Sequence, residues 1–355
     1  MGHLPINSAL SLANALNNAY TPPTSTLGLA SGLLNAPANP AWSAMSLANV
    51  ATPLETPPWI YLTKRFETFL SNLELTSLQI DDGWKKVHGV VSCLNAAYYG
   101  NASQTGNAFL IGSWAKNTHV RPPRDVDLYF ILPIEVYHRY ERYANGVNKQ
   151  SALLQEVKSK LVESNPLSDI RGDGPVVLAA FTTYNVEIVP AFIYDSQERS
   201  YYVCDTKNGG AYKKTMPLHE ADFLSAADAR NSNNVSNLVR MLKAWQAWCA
   251  VPIPSFCLEL LAIEFMDQCE WRNNGYFYYD WITRDFFRWV VAKANTYVWA
   301  PGTNEPLWLG DAWKSRAETA YARAYKACEY ERLNQMANAG DEWQKIYGTN
   351  IPKWV

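Results

Sequence analysis

The chain of 355 residues has almost no net charge, and this absence bounds its function. Lys and Arg number 31 against 33 Asp and Glu, so the net charge is −2. No field of the whole protein would attract nucleic acid, and any nucleotide site must depend on a local basic patch. The balance argues against an enzyme dedicated to tRNA or long polymers. We expect no stable nucleic acid partner.

Cysteine pairs and long apolar runs are also missing. Six cysteines are scattered without a Cys-x-x-Cys pair or a Cys/His cluster, which favours reduced thiols and argues against a zinc site. No run reaches the ~18 apolar residues that a membrane span needs. The first residues lack the basic and apolar regions of a secretory signal. We therefore expect a cytoplasmic protein with no membrane span.

Residues 1–55 are nearly free of charge, rich in Ala, Asn, Ser, Leu and Pro, and interrupted by several prolines. Such a composition predicts a poorly ordered N-terminal extension, because little apolar surface can be buried and proline breaks regular structure. Two other interpretations stay open. The first residues, Met1-Gly2-His3, can be foreign to the natural protein, or the extension can be an arm that docks on a partner or on the active site.

Two aspartates open an apolar run in the segment 125–132. Side chains alternate along a strand, so Asp125 and Asp127 share one face while Val126 and Leu128 point into the core. Two carboxylates about 7 Å apart on one strand face repel each other unless a cation lies between them. Hard oxygen ligands of this kind suit Mg²⁺, which proteins usually hold with one or two carboxylates and substrate phosphates.

The loop before this strand offers groups that suit phosphate. Gly112 and Ser113 would let backbone and hydroxyl groups approach a phosphate closely. Four cationic or titratable side chains follow: Lys116, His119, Arg121 and Arg124. They form either a solvated loop or a patch that neutralises a triphosphate, and we predict that Lys116 contacts phosphate. We interpret His119 as an ordinary loop residue, since transfer assisted by two metal ions needs no histidine.

A Gly-Ser pair, a spacer and Asp-x-Asp at the start of a strand resemble the signature of the polymerase-β-like nucleotidyltransferases. The sequences Asp-Val-Asp-Leu from Asp125, Val-Glu-Ile-Val-Pro-Ala-Phe from Val186 and Leu-Val-Arg-Met-Leu-Lys-Ala-Trp from Leu238 are similar to one branch in particular. That branch is the bacterial cyclic GMP-AMP synthase/DncV-like nucleotidyltransferases, which are related to oligoadenylate synthetase. The resemblance covers the chain from about Phe66 to Trp289.

The resemblance implies an α+β fold with two lobes. Residues 56–216 would form a polymerase-β-like catalytic lobe, with a small mixed sheet flanked by helices and a long helix that spans both lobes. Residues 217–355 would form an all-helical lobe like that of oligoadenylate synthetase. The active site would lie in the cleft between the lobes.

The resemblance also implies a third acid on a strand next to the Asp-x-Asp strand, and Glu187 is the candidate. Asp125, Asp127 and Glu187 would then be the catalytic residues and the ligands of two Mg²⁺ ions, with Mn²⁺ as an alternative. Glutamate stands here in place of the commoner aspartate.

The helix predicted from Val235 offers a cation for the substrate. Its apolar residues recur at helical spacing, which puts Lys243 at the edge of the apolar stripe and Arg240 almost opposite, toward water. Relatives place a lysine of this helix on the donor triphosphate, so the resemblance implies that role for Lys243. The alternative is a surface lysine whose stem lies along the apolar stripe.

By resemblance the chain is a bacterial synthase that joins nucleoside triphosphates (ATP, GTP or pyrimidine nucleotides) into a cyclic di- or trinucleotide and releases pyrophosphate. The product would activate a separate effector in anti-phage signalling of the CBASS type, with room for a regulatory partner protein. Two other classes stay open. A template-independent RNA-tailing enzyme would share the metal triad, but the charge balance is poor for it. A degenerate protein that only binds nucleotide is disfavoured by the intact Asp-x-Asp.

Overall fold

The computed structural model describes residues 58–143, 146, 148–164 and 169–355. The extension predicted for residues 1–55 lies outside the described residues. The helices of the described chain are α1 (Pro58–Leu73), α2 (Ser77–Tyr99), α3 (Gly112–Ala115), α4 (Ile134–Glu141), α5 (Lys149–Ser164), α6 (Pro217–Arg230), α7 (Asn234–Trp248), α8 (Ser255–Met266), α9 (Tyr279–Val290), α10 (Lys314–Arg332) and α11 (Met336–Tyr347). None of them is long and apolar enough to cross a membrane.

The strands are β1 (Ala108–Leu110), β2 (Asp125–Ile131), β3 (Asp169–Asp173), β4 (Val176–Ala180), β5 (Asn185–Asp195), β6 (Ser200–Asp205), β7 (Ala211–Thr215), β8 (Tyr297–Trp299) and β9 (Pro306–Trp308). Strands β1 to β7 form one mixed sheet, and β8 and β9 form a separate hairpin. The long strand β5 is central. It pairs in parallel with β2, while its first half pairs with β4 and its second half with β6, both antiparallel.

Two large cores stabilise the described chain, beside a smaller apolar cluster around Tyr129 and Tyr201. One lies between the sheet and helices α2 and α5, where Val126, Leu128 and Val186 are buried on the inner face of β2 and β5. The other is built by the helices of the C-terminal half around the buried Trp245 and Trp343. This division agrees with the α+β fold expected from the sequence, but the C-terminal half is not all-helical as expected, because it also contains the hairpin of β8 and β9.

Helix α1 differs from the expected arrangement. The sequence places it in the catalytic lobe, but Phe66, Phe69 and Leu73 pack in the helical core. Helix α2 was expected to span both lobes, yet its buried residues that form a core, among them Val87 and Leu94, all belong to the sheet core. The chain therefore passes from one core to the other at the turn between α1 and α2. Helical spacing alone cannot tell which of two cores an apolar stripe will join.

Candidate active site

Three acids meet where β2 and β5 begin. Because these strands are parallel neighbours, Asp127 lies opposite Glu187 and Asp125 lies opposite Asn185. The alternate residues Val126 and Val186 are fully buried in the sheet core, so the acids share the other face of the sheet. The Asn185 side-chain amide donates a hydrogen bond of 2.9 Å to Asp125 Oδ1. The pattern read from the sequence thus brings Asp125, Asp127 and Glu187 together.

The Gly-Ser pair lies directly against the second aspartate. Gly112 follows β1 and has a φ of +59°, a left-handed conformation that favours glycine. A Cβ atom at Gly112 would lie 2.0 Å from Asp127 Oδ2, so no side chain fits here. The backbone N–H of Ile111 donates to the carbonyl oxygen of Asp127 at 3.0 Å and holds the turn in place. The turn therefore exposes backbone beside a carboxylate, as a phosphate-binding loop requires.

The electrostatics of Asp127 reflect crowded negative charge. Burial and the neighbouring charge of Asp125 raise the pKa of Asp127, while Lys243, Lys116 and a hydrogen bond with Glu187 oppose that rise. A cation placed among these acids would relieve the repulsion.

Lys243 of α7 reaches the same loop from the helical lobe. Its Nζ donates to the Thr118 carbonyl oxygen at 2.8 Å and to Thr118 Oγ1 at 3.0 Å. Burial lowers the pKa of Lys243 to about 8, against the opposing pull of Glu259. The lysine is half-buried and bonded to neutral oxygens, and its charge is felt at Asp127. This position is compatible with the predicted phosphate role, which stays a prediction.

Lys116 lies in an ion-pair cluster. Its Nζ is 2.6 Å from Glu259 Oε1 on α8 and 3.3 Å from Glu220 Oε2 on α6, and the lysine side chain is 3% exposed. The ring of Phe256 lies 4.6 Å from Nζ. The solvated-loop interpretation is therefore wrong for this residue. The two carboxylate partners of Lys116 argue against the predicted direct contact with phosphate.

The partners of Lys116 and Lys243 could not be identified from the sequence pattern. Glu259 stands in the otherwise almost wholly apolar stretch Ser-Phe-Cys-Leu-Glu-Leu-Leu-Ala-Ile of α8, and a lone acid on such a helix signals a buried pair. Glu220, in the first turn of α6, carries no comparable signal. Thr118 is fully buried, which its polar loop did not indicate.

Arg240 and His119 correct the expectation of a solvated surface. Arg240 was expected to face water, but its side chain is 14% exposed and lies 3.6 Å from Glu74 in the turn between α1 and α2. That turn covers the face of α7 opposite the apolar stripe. The ring of His119 stacks on Trp114 at 5.2 Å, and burial lowers its pKa to about 4, so the imidazole is neutral near pH 7.

The acids fit a divalent cation in donor type and charge. All three offer carboxylate oxygens, the ligands that Mg²⁺ and Mn²⁺ prefer, and the pKa of Asp127 is raised by burial first and by the charge of Asp125 second. Within the described ranges, no group of three or more His, Cys, Asp and Glu side chains is already arranged to hold an ion. A bound metal ion would therefore require these carboxylates to rearrange.

The chain is similar to known proteins in sequence and in fold. Residues 61–228 match the model of the SMODS domain, the Second Messenger Oligonucleotide or Dinucleotide Synthetase domain. The chain is 23% identical over 275 residues, 68% of its own length and 81% of the relative's, to a probable cyclic nucleotide synthase of Bacillus cereus (strain VD146).

Two solved structures share the fold. The CD-NTase CdnG of Bradyrhizobium diazoefficiens, in complex with GTP, matches with a TM-score of 0.60 and 11% identity over 84% of this chain and 97% of that one. CdnC of E. coli MS115-1, in a complex with HORMA-deltaN, matches with a TM-score of 0.58 and 17% identity over 81% and 98%. The matches confirm the predicted resemblance to the cyclic GMP-AMP synthase/DncV-like nucleotidyltransferases, the CD-NTase family, and this chain shares the fold of the solved CD-NTases.

Proposed function

We propose that this chain joins nucleoside triphosphates into a cyclic di- or trinucleotide. In each step a ribose hydroxyl oxygen forms a bond to the α-phosphorus of a triphosphate, the α–β anhydride bond breaks, and pyrophosphate and the hydroxyl proton leave. The substrates would be ATP, GTP or pyrimidine nucleotides. A relative named as a probable cyclic nucleotide synthase and the capture of GTP by CdnG support this proposal.

One observation carries the proposal. Asp127 is in register with Glu187 on parallel strands, and the bare backbone of Gly112 lies against its carboxylate. A nucleotidyl transfer needs acids and phosphate-binding backbone at one place, and this arrangement supplies both.

The roles of the residues follow from their positions. Mg²⁺ or Mn²⁺ ions held by Asp125, Asp127 and Glu187 would lower the pKa of the acceptor hydroxyl and stabilise the leaving pyrophosphate. Gly112 and Ser113 would receive the triphosphate on their backbone. Lys243 would exchange its bonds to Thr118 for the phosphates, acting as a point charge.

We further propose that the product acts as a second messenger in anti-phage signalling and activates a separate effector. A regulatory partner belongs to the same proposal, since the similar CdnC was solved with HORMA-deltaN. The cytoplasmic location expected from the sequence belongs to it as well.

The test is incubation of the purified protein with labelled nucleoside triphosphates and Mg²⁺ or Mn²⁺. Products that resist nuclease and phosphatase treatment support a cyclic oligonucleotide, and mass spectrometry then gives the bases and the ring size. A lengthened RNA primer would mean tailing instead, and nucleotide binding without any product would mean a degenerate enzyme.

Asp127→Asn removes one charge and keeps the shape of the side chain. We expect product formation to fall by about 10²–10³-fold, the usual loss when one group that stabilises transition-state charge is removed. Asp222→Asn, at an exposed aspartate paired with Arg199, is the matched control and should keep wild-type turnover. Wild-type turnover of Asp127→Asn in Mg²⁺ would refute the assignment of the site.

A further inference from the structure

The short helix α3 begins with Gly112 and Ser113, and these two residues form the Gly112–Ser113 turn. Ion pairs of Lys116 join this turn to two helices of the C-terminal half. The Lys116 Nζ is 2.6 Å from Glu259 of α8, and both side chains are almost completely buried, with exposed fractions of 3% and 6%. Glu220 of α6 is the second carboxylate, at 3.3 Å. An ion pair buried to this degree is held in one geometry, because neither charge can turn to water.

A backbone hydrogen bond connects Lys116 to the residues of the candidate site. The N–H of Lys116 donates to the carbonyl oxygen of Gly112 at 3.2 Å. Gly112 in turn lies so close to Asp127 that a methyl group would overlap its carboxylate. A continuous set of contacts therefore runs from Glu259 through Lys116 and Gly112 to Asp127. A shift of Lys116 would change the position of Gly112 relative to the Asp127 carboxylate.

The two lysines near the acids have different partners. Lys243 bonds to the neutral oxygens of Thr118, so it gives up little when it turns to an anion. Lys116 would have to leave two carboxylates, and Glu259 would remain buried without a partner. Leaving a buried charge unpaired is costly, so phosphates compete poorly for Lys116.

We propose that Glu259 is a positioning residue: through Lys116 it holds the Gly112–Ser113 turn where its backbone can receive the triphosphate. Lys116 then acts from its ion pair and does not bind the phosphates. This inference rests on the proposed function, because it assigns a role within the same nucleotide site.

The sign of one kinetic change separates this role from direct phosphate binding by Lys116. If Glu259 positions the turn, Glu259→Gln loosens it, and KM for the nucleotide should rise about tenfold, with a smaller change in kcat. If Glu259 instead holds a phosphate-binding lysine back, the same substitution frees Lys116 and KM should fall. A fall in KM, or no change, overturns the proposal.

The matched control is Glu264→Gln on the same helix, where an exposed glutamate pairs with Lys293; it should leave KM unchanged. If Glu259→Gln does not fold, Glu220→Gln serves as the second variant, since that side chain is 26% exposed. It should raise KM by about two- to threefold. An unchanged KM for the nucleotide in a folded Glu220→Gln variant would then contradict the positioning role.

The experiment also separates failure of this inference from failure of the proposed function. Product formation by the wild type decides the function. The affinity of each variant for a non-hydrolysable nucleoside triphosphate analogue in Mg²⁺, measured by calorimetry, decides the positioning role even if no product forms. Weaker binding by Glu259→Gln supports the positioning role, and equal or tighter binding overturns it.

Discussion

Gly112 meets two requirements that no other residue type satisfies together. Its φ of +59° is unfavourable for residues with a Cβ, and the space where that Cβ would lie is taken by the carboxylate of Asp127. Backbone strain at such a φ costs about 1–2 kcal/mol, whereas an overlap with Asp127 would displace a carboxylate that we propose as a metal ligand.

Gly112→Ala should therefore cost more activity than stability. We expect product formation to fall by at least about a hundredfold, because the displaced carboxylate no longer meets the substrate site. Gly100→Ala is the control, since Gly100 has a similar φ of +68° and open space around it. Thermal melts should show similar small losses for both variants. Equal activity losses in the two would mean that strain, and not contact with Asp127, explains the effect.

Glu187 is longer by one methylene than the aspartate that the resemblance leads one to expect at this position. It must reach a shared ion from further back, and Mg²⁺ tolerates a displaced ligand poorly. We predict that Glu187→Gln is nearly inactive, and that Glu187→Asp retains partial activity with greater rescue by Mn²⁺ than Asp127→Asn shows. Nucleotide affinity should change little, since in the proposed mechanism this acid would orient the metal ion that activates the attacking hydroxyl. Measurement of kcat and affinity in each metal checks this, and wild-type kcat in Glu187→Gln would remove Glu187 from the site.

At the scale of elements, the amphipathic pattern of α7 places the charge of Lys243 beside Thr118. Leu242 and Trp245 are buried on its apolar stripe, and Lys243 stands at the edge of that stripe, as the helical wheel predicts. The same burial lowers the pKa of Lys243 to about 8 in the protein without nucleotide. A lysine with a lowered pKa is charged below that pH and neutral above it.

This shift predicts the alkaline limb of the pH profile. If Lys243 binds the triphosphate, kcat/KM should fall as the pH rises through about 8, because kcat/KM reports the free enzyme. Lys243→Ala should raise KM more than it lowers kcat and should lack this limb. Lys243→Arg, which keeps its charge, should move the limb to higher pH. A wild-type limb that persists in Lys243→Ala would assign the titration to another group.

Some elements could be predicted from the sequence because their signals are local. The apolar spacing of residues 77–99 predicts a helix, and α2 has these bounds, since Thr76 and Gln79 form a capping box and Gly100 ends the helix in a left-handed conformation. Strand β2 follows from alternation of acids and apolar residues. Other elements were missed or misplaced. Residues 311–336 suggest one helix, but the chain turns at Asn334, with a φ of +58°, and α11 begins after it.

The rest could not be predicted because it depends on contacts between residues far apart in the chain. Helix α6 was missed since only Pro217, Leu224 and Ala227 of its residues are buried, too few for a clear stripe. The turn that holds Glu74 covers Arg240, and the sequence of α7 does not indicate that this side of the helix is buried. The same holds for the partners of Lys116, which lie on helices that begin about 100 and 140 residues later in the chain.

At the scale of the whole molecule, the first and the last described helices pack together in the helical core. Arg65 of α1 is fully buried among C-terminal residues. Its Nε donates to Glu331 of α10 at 2.9 Å, its Nη2 to the carbonyl oxygen of Met336 at 3.0 Å, and its Nη1 to that of Lys353 at 2.8 Å. One side chain thus joins α1, α10, the start of α11 and the segment that follows α11.

Arg65→Met should destabilise this core without changing the chemistry. Loss of the guanidinium leaves Glu331 buried and short of a partner, a defect that typically costs about 3–5 kcal/mol. The additional change Glu331→Gln should recover part of that loss, because it removes the unpaired charge and keeps an acceptor for Trp343 Nε1. Arg332→Met, at an exposed arginine paired with Glu329, should cost at most about 1 kcal/mol. Denaturant unfolding gives these free energies, and KM of the folded fraction should match the wild type because Arg65 contacts none of the site residues. A loss as small as that of Arg332→Met would mean that apolar packing alone joins α1 to the C-terminal helices.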